Sequence, residues 1–346
     1  MRVNDMIKFD CDYMQGAVPE ILRRLTEINE EPNDGYGEDP YCKSAKSKIR
    51  EACGLPDAEV EFLVGGTQTN TVAITACLRS FEGVIAASTG HIYVHECGAI
   101  ENMGHKVISL PAHNGKLDPA EVKEYMRKFY ADETYPHMVM PKMIYISHPT
   151  ELGSLYTLTE IKALREVCDE YKMLLYVDGA RLGYGLNASN TDVTLKNLAE
   201  NVDLFYIGGT KVGALFGEAL VIKDKNLIPN FFSIKKQMGA VLAKGWLLGL
   251  QFDTLFTDNL YNNISRHAIL MAEKLKKGFV DKGYRLYSDS DTNQQFLILE
   301  KTKIEELKSK VSFAAWEEYD QDHKIVRFAT SWATKESDVD ELLKLV

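Results

Sequence analysis

The sequence predicts an α/β fold: a mainly parallel sheet of seven strands with helices on both faces, followed by a smaller C-terminal α+β unit. Three observations carry this. Short apolar runs of strand length alternate with helical windows from about residue 55 to 225, the pattern of a parallel sheet with covered faces. The texture changes after Pro229, where a long helical stretch leads into two strands and a closing helix. The length of 346 residues is enough for one large core and a second, smaller one.

The elements follow in order. EFLV (61–64), VIAAS (84–88), KVISL (106–110), MIYIS (143–147), MLLYV (173–177), LFYIG (204–208) and EALVI (218–222) read as buried strands. Helical windows run over 70–79, 119–130 and TEIKALREVCDEY. In the last, Ile161, Leu164, Val167, Cys168 and Tyr171 fall on one face and Thr159 is placed to cap the start. Beyond Pro229, GAVLAKGWLLGLQFDTLF and RHAILMAEKLKKGF read as helical, FLILE and KIVRFATSW as strands, and the chain closes in a helix from Lys335. The domains expected are an N-terminal arm (1–20) packed on the small domain, a large α/β domain (21–235) and a small α+β domain (236–346). No internal repeat, low-complexity segment or Gly/Ser linker interrupts them.

Composition narrows the function. Acidic residues outnumber basic ones by 50 to 40, a formal charge of −10, and no stretch concentrates Lys and Arg, so nucleic acid and anionic membranes are poor partners. The start, MRVNDMIKFDCDYMQG, has no apolar signal region and no membrane-length apolar run follows, so a cytoplasmic protein is expected. Six cysteines form no C-x-x-C or C-x-x-H pair, which argues for reduced thiols and against a disulfide framework or a metal site. All but Cys11 read as small buried hydrophobes.

Three features fall in loops after predicted strands, where open α/β sheets bind ligands. VGGTQTN (64–70) opens a helix, and Gly65, Gly66 and Thr67 suit an anion such as a phosphate. YVDGARLG ends a strand in Asp178 with Arg181 three residues on, a pair open to two readings: an internal ion pair, or a carboxylate reserved for a ligand. In IGGTKVGALFGEALVI, Lys211 stands between two apolar strands, 33 residues after Asp178, where burial lowers an amine's pKa toward the neutral form that Schiff-base chemistry needs. The glycines before it leave room for a flat ring. An anion cradle, a buried carboxylate and a desolvated lysine are the fixtures pyridoxal 5'-phosphate requires.

The ordered motifs resemble the fold-type I pyridoxal-phosphate enzymes, within them the threonine aldolase and β-eliminating lyase group. DGYGEDPY (34–41) is similar to the family's Y-G-E-D-P segment. GGTQTN is similar to its S-G-T-x-A-N loop with Gly65 for Ser, TGHIYVHECGA to H-I-x-x-x-E, YVDGAR to H-x-D-G-A-R, and GGTK to S-x-x-K. The resemblance implies that Lys211 carries the cofactor, that Asp178 meets its pyridine nitrogen, and that His91 stacks on its ring. It also implies that Arg181 and Arg327 (in KIVRFATSW) hold an amino-acid substrate's carboxylate, and that Tyr36 reaches a neighbouring site in a homodimer or homotetramer with shared active sites. His95 either shares the face of His91 or lines the pocket. Where the family has S-D-N or S-D-T this chain reads CDY, so Cys11 stands at a substrate-binding position. Where the family brings an Arg across the subunit boundary to the cofactor phosphate, Lys235, Lys236 and Lys244 are the candidates here. The activity implied is aldol cleavage of an L-β-hydroxy-α-amino acid to glycine and an aldehyde, with β-elimination to pyruvate and ammonia as the alternative and a non-catalytic binder as a remote third. The base is left open between His91, His95 and an ordered water.

Overall fold

The computed structural model describes residues 6–346. Its strands in chain order are β1 (Ile7–Phe9), β2 (Glu59–Leu63), β3 (Glu82–Ala87), β4 (Val107–Leu110), β5 (Met140–Ser147), β6 (Leu174–Asp178), β7 (Leu204–Gly208), β8 (Glu218–Ile222), β9 (Arg285–Ser288), β10 (Gln294–Glu300), β11 (Val311–Glu318) and β12 (His323–Ala329). Seven of them form one sheet in the order β2-β8-β7-β6-β5-β3-β4, so each strand expected from the alternating pattern is present. All neighbours are parallel except β8, which runs against both β2 and β7.

Both faces of this sheet are covered. Side chains alternate along each strand, so Ile144, Ile146, Leu175, Val177, Phe205 and Ile207 enter one apolar cluster, while Met143, Tyr145, Tyr176, Leu204 and Tyr206 enter the other. Full burial of each large apolar side chain contributes about 1.5–3 kcal/mol, which is why β3, β7 and β8 are buried along their whole length. The helix Leu158–Tyr171 buries Ile161, Leu164, Val167 and Cys168 as its periodicity predicts. Its cap is Thr157 and not Thr159: the Thr157 hydroxyl accepts from the backbone of Glu160, and the Glu160 carboxylate accepts from Thr157 N–H.

The second sheet has the order β1-β11-β12-β10-β9, with β1 parallel to β11 and the rest antiparallel. Periodicity alone gave only β10 and β12; β1, β9 and β11 are edge or neighbouring strands with polar outer faces. Of the expected arm over 1–20, residues 1–5 lie outside the described residues, and Ile7–Phe9 pairs with Val311–Phe313. The helix Trp246–Leu255 lies so close to the helix Pro40–Cys53 that a Cβ on Gly249 would stand 2.6 Å from the Cys42 backbone. The stretch before it, Gly239–Gly245, is not helical. No helix among the described residues is long and apolar enough to cross a membrane.

Candidate active site

Parallel strands deliver their last residues to one edge. β5 and β6 end side by side at Ser147 and Asp178, and β7 ends at Gly208. Because β8 is reversed, its first residue joins them: Glu218 is in register with both Gly208 and Leu63, the last residue of β2. The ends of β6 and β7 touch. A Cβ on Gly179 would lie 1.9 Å from the Tyr206 carbonyl oxygen, and one on Gly208 would lie 2.3 Å from that of Ala180. Gly209 is equally tight against Gly217 O, at 2.6 Å. The glycines before Lys211 therefore do not make room for a ring, as the sequence suggested; backbone fills that space.

Gly65, Gly66, Thr67, His91, Asp178, Arg181 and Lys211 line one cleft of about 300 Å³. Gly65 caps the helix Gly66–Cys77, whose first-turn N–H groups have no carbonyl before them in the helix. A Cβ on Gly65 would meet nothing within 4 Å, so the cradle is open there. Thr67 follows in the same turn, next to Gln68, whose amide oxygen accepts from Val64 N–H.

Asp178 is 3% exposed, yet its carboxyl is held below the ordinary range. Burial opposes ionisation, but the charge of His91 and hydrogen bonds from Tyr145, Tyr206 and Asn70 outweigh it. The Tyr145 hydroxyl donates at 2.6 Å, Asn70 Nδ2 at 3.0 Å and Ala180 N–H at 3.0 Å, with the Tyr206 hydroxyl as a fourth donor. The His91 charge and neutral donors together thus keep a buried anion. Asn70 Nδ2 also donates to Glu96 at 2.7 Å, and His91 Nδ1 lies 2.8 Å from the same Glu96 oxygen. Buried Asp178, Asn70 and Glu96 and half-buried His91 form one polar chain. Burial lowers the His91 pKa, but Glu96 and Asp178 more than offset this and raise it.

Lys211 has its amine pKa lowered, first by burial and then by the Arg181 charge, against the pull of Asp12, Asp178 and Glu218. Burial in turn lifts Glu218 to about 7, although Gly209 N–H donates to it at 2.9 Å. The Asp178–Arg181 ion pair that the sequence left open is absent. Arg181 instead forms a bidentate pair with Asp12, Nε to Oδ2 at 2.6 Å and Nη2 to Oδ1 at 2.9 Å. Burial would raise the Asp12 pKa, but Arg181 holds it down at about 2.

The remaining candidates lie elsewhere. Cys11 is half-buried outside the cleft lining, which takes Tyr13 from the same segment. Arg327, on β12, gives Nη1 to Gln294 at 3.1 Å and Nη2 to Asp10 O at 2.9 Å, lies over the Trp316 ring, and keeps a buried Nε without a partner. His95 spans toward that group, 5.6 Å from the His91 ring and 6.4 Å from Trp316. Tyr36 is exposed at a positive φ, with the Lys236 ammonium over its ring. Lys235 is buried with its ammonium on Glu61 at 2.5 Å and so has no free reach, whereas Lys236 and Lys244 are exposed. Among the cysteines, Cys97 is exposed and Cys77 only half-buried, against the expectation of burial.

Several residues of the site were not singled out from the sequence: Tyr13, Glu151, Tyr206 and Glu218 line the cleft, and Asp12, Asn70, Glu96 and Tyr145 hold residues that do. One signal was present. MIYIS, LLYVD and LFYIG each carry a tyrosine at the same place, which puts three hydroxyls on one sheet face. The cleft fits pyridoxal phosphate on three counts: an open helix-start cradle, a buried carboxylate kept ionised, and an enclosed amine pushed toward neutrality.

Residues 9–302 match the family model described as beta-eliminating lyase. The chain belongs to this family. Membership makes it a pyridoxal-phosphate-dependent lyase of the fold-type I architecture. Among solved structures, this beta-eliminating lyase family member superimposes on the threonine aldolase of Leishmania major with a TM-score of 0.94, at 42% identity over 98% of both chains. It is 30% identical to a low specificity L-threonine aldolase of a Pseudomonas species, over 97% of this chain and 95% of that one. A putative L-allo-threonine aldolase of Listeria monocytogenes shares the fold at 17% identity, TM-score 0.77, over 99% of this chain and 97% of that one.

Proposed function

We propose that the chain cleaves the Cα–Cβ bond of an L-β-hydroxy-α-amino acid of the threonine or allo-threonine type, releasing glycine and an aldehyde. The observation that carries this reading is the full-length likeness to the Leishmania major threonine aldolase. Lys211 would bind the cofactor's aldehyde, Asp178 its ring nitrogen, His91 its ring face, and Gly65, Gly66 and Thr67 its phosphate. When bound, the cofactor supplies an electron sink for the pair released at Cα.

The chain's own residues do the rest. Arg181, fixed by Asp12, and Arg327, anchored on Gln294 and Asp10, present guanidinium groups toward which a substrate carboxylate is drawn. The hydrogen-bonded chain from Asp178 to His91 holds the charges of the site in place before substrate arrives, so no reorganisation is needed during reaction. Glu218 titrates near neutrality beside Lys211 and can take or return the amine's proton.

The reading includes an assembly of identical subunits with shared sites, supported by Tyr36, Lys236 and Lys244 lying exposed and outside their own cleft. A monomer by light scattering that keeps full activity would remove that part. Cytoplasmic residence belongs to the same reading and is tested by cell fractionation. For the reaction, L-threonine and L-allo-threonine should each be incubated with the cofactor-loaded protein. Glycine without pyruvate is expected. Pyruvate from substrates with a β leaving group, and no glycine from either threonine, would replace aldol cleavage by β-elimination. A colourless protein that takes up no pyridoxal phosphate would end both.

A further inference from the structure

Glu151 lines the cleft with one carboxyl oxygen held by other residues and the other open. Of the other carboxylates, Asp178 is held by four donors, Glu218 takes Gly209 N–H and faces the Lys211 charge, and Asp12, bound by Arg181, and Glu96, with one oxygen on His91 and Asn70, lie outside the lining. Glu151 stands in the turn after β5 and lines the same cleft as Lys211, Asp178 and His91. One oxygen, Oε1, accepts from the Ser147 hydroxyl at 2.6 Å and from His91 N–H at 2.9 Å. The other, Oε2, accepts no hydrogen bond from another residue and faces no cation within ion-pair distance. Two donors on one oxygen fix the plane of the carboxyl and leave the second oxygen for a ligand.

The other candidates for a base are less suited. His91 has its pKa raised by Glu96 and Asp178 and so favours the protonated form. His95 lies outside the lining, against Trp316.

We propose that Glu151 accepts the proton of the substrate's β-hydroxyl. The inference rests on the aldol-cleavage reading. The O–H bond breaks and its proton forms a new O–H bond on Glu151, while the O–H electron pair becomes the second C–O bond of the aldehyde. The Cα–Cβ bond breaks with its pair left on Cα, and that pair ends in a new Cα–H bond. One proton leaves oxygen and one arrives at Cα, so the sum needs no co-reactant. Burial lifts the Glu151 pKa, opposed by the Ser147 bond, which makes the carboxylate a stronger base. The charged and titratable groups around it are Asp178, His91, Tyr145 and Tyr156, with Lys211 and Arg181 across the cleft.

The test compares Glu151→Gln with the native protein, because the amide oxygen can still accept from Ser147 and His91. Cleavage of L-threonine or L-allo-threonine should fall by about 100-fold or more in kcat. Exchange of the glycine α-proton in deuterium oxide, which involves no hydroxyl, should stay within about threefold, with the cofactor absorbance retained. A third readout needs no cofactor. A carboxyl with a raised folded-state pKa loses stability as pH rises from its unfolded value through its folded one. The cofactor-free Glu151→Gln variant should therefore gain thermal midpoint over the native protein, and the gain should grow with pH. Native protein that releases no glycine overturns the aldolase reading itself. Native protein that does, beside a variant within threefold of it, overturns only the role of Glu151. Equal loss of cleavage and exchange, or a midpoint difference flat with pH, overturns it too.

Discussion

The four donors around Asp178 make a quantitative prediction. Tyr206→Phe removes one hydroxyl and little else, since the ring stays packed between β6 and the Gly66 turn, where a Cβ on Gly66 would lie 3.0 Å from that oxygen. A hydrogen bond to a charged group contributes about 1.5–3 kcal/mol, a neutral one about 0.5–1.5 kcal/mol. If Asp178 is ionised in the folded protein, Tyr206→Phe should cost about 2–3 kcal/mol with Asp178 present and about 1 kcal/mol in an Asp178→Asn background. The coupling between the two sites is then about 1–2 kcal/mol. Urea unfolding of the four cofactor-free proteins at neutral pH, followed by near-ultraviolet circular dichroism, closes the cycle. Additivity within about 0.5 kcal/mol would refute the claim that the tyrosine stabilises a charge.

Four further outcomes follow from the same geometry. Lys211→Ala should lose both the visible absorbance of the bound cofactor and all turnover, read by spectrophotometry and the glycine assay. Asp12→Asn should cost about 3–5 kcal/mol by urea unfolding, because it leaves Arg181 buried with half a partner. Asp12 also has a folded pKa lowered to about 2 from an ordinary 3.8, so its contribution is complete above about pH 4 and fades as pH falls toward 2; the variant should lack that acid-side loss. Gly179→Ala should fail to fold or lose several kcal/mol, given 1.9 Å to Tyr206 O. Gly65→Ala should fold normally yet bind pyridoxal phosphate more weakly, as seen by equilibrium dialysis.

The sequence by itself determined the large sheet and the three local motifs on it. Strand positions were legible because burial on both faces leaves unbroken apolar runs, as in LFYIG and EALVI. Lys211, Asp178 and the Gly65–Gly66–Thr67 turn were legible because a charge or a glycine pair at the end of such a run has few local explanations. Local pattern said nothing of what the reversed β8 does. That reversal brings Glu218 to the edge occupied by Asp178, and only strand pairing decides it. Nor did it give Asp12 for Arg181, a pairing across 169 residues that displaced the nearby Asp178. The glycines before Lys211 show the same limit: their spacing suggested room for a ligand, whereas the touching ends of β6 and β7 use that room for backbone. Glu151 carries no signal in PTELGS at all. That it lines the cleft with one open oxygen comes from what surrounds it, since a group's protonation and availability are set by burial and neighbours that converge only in three dimensions.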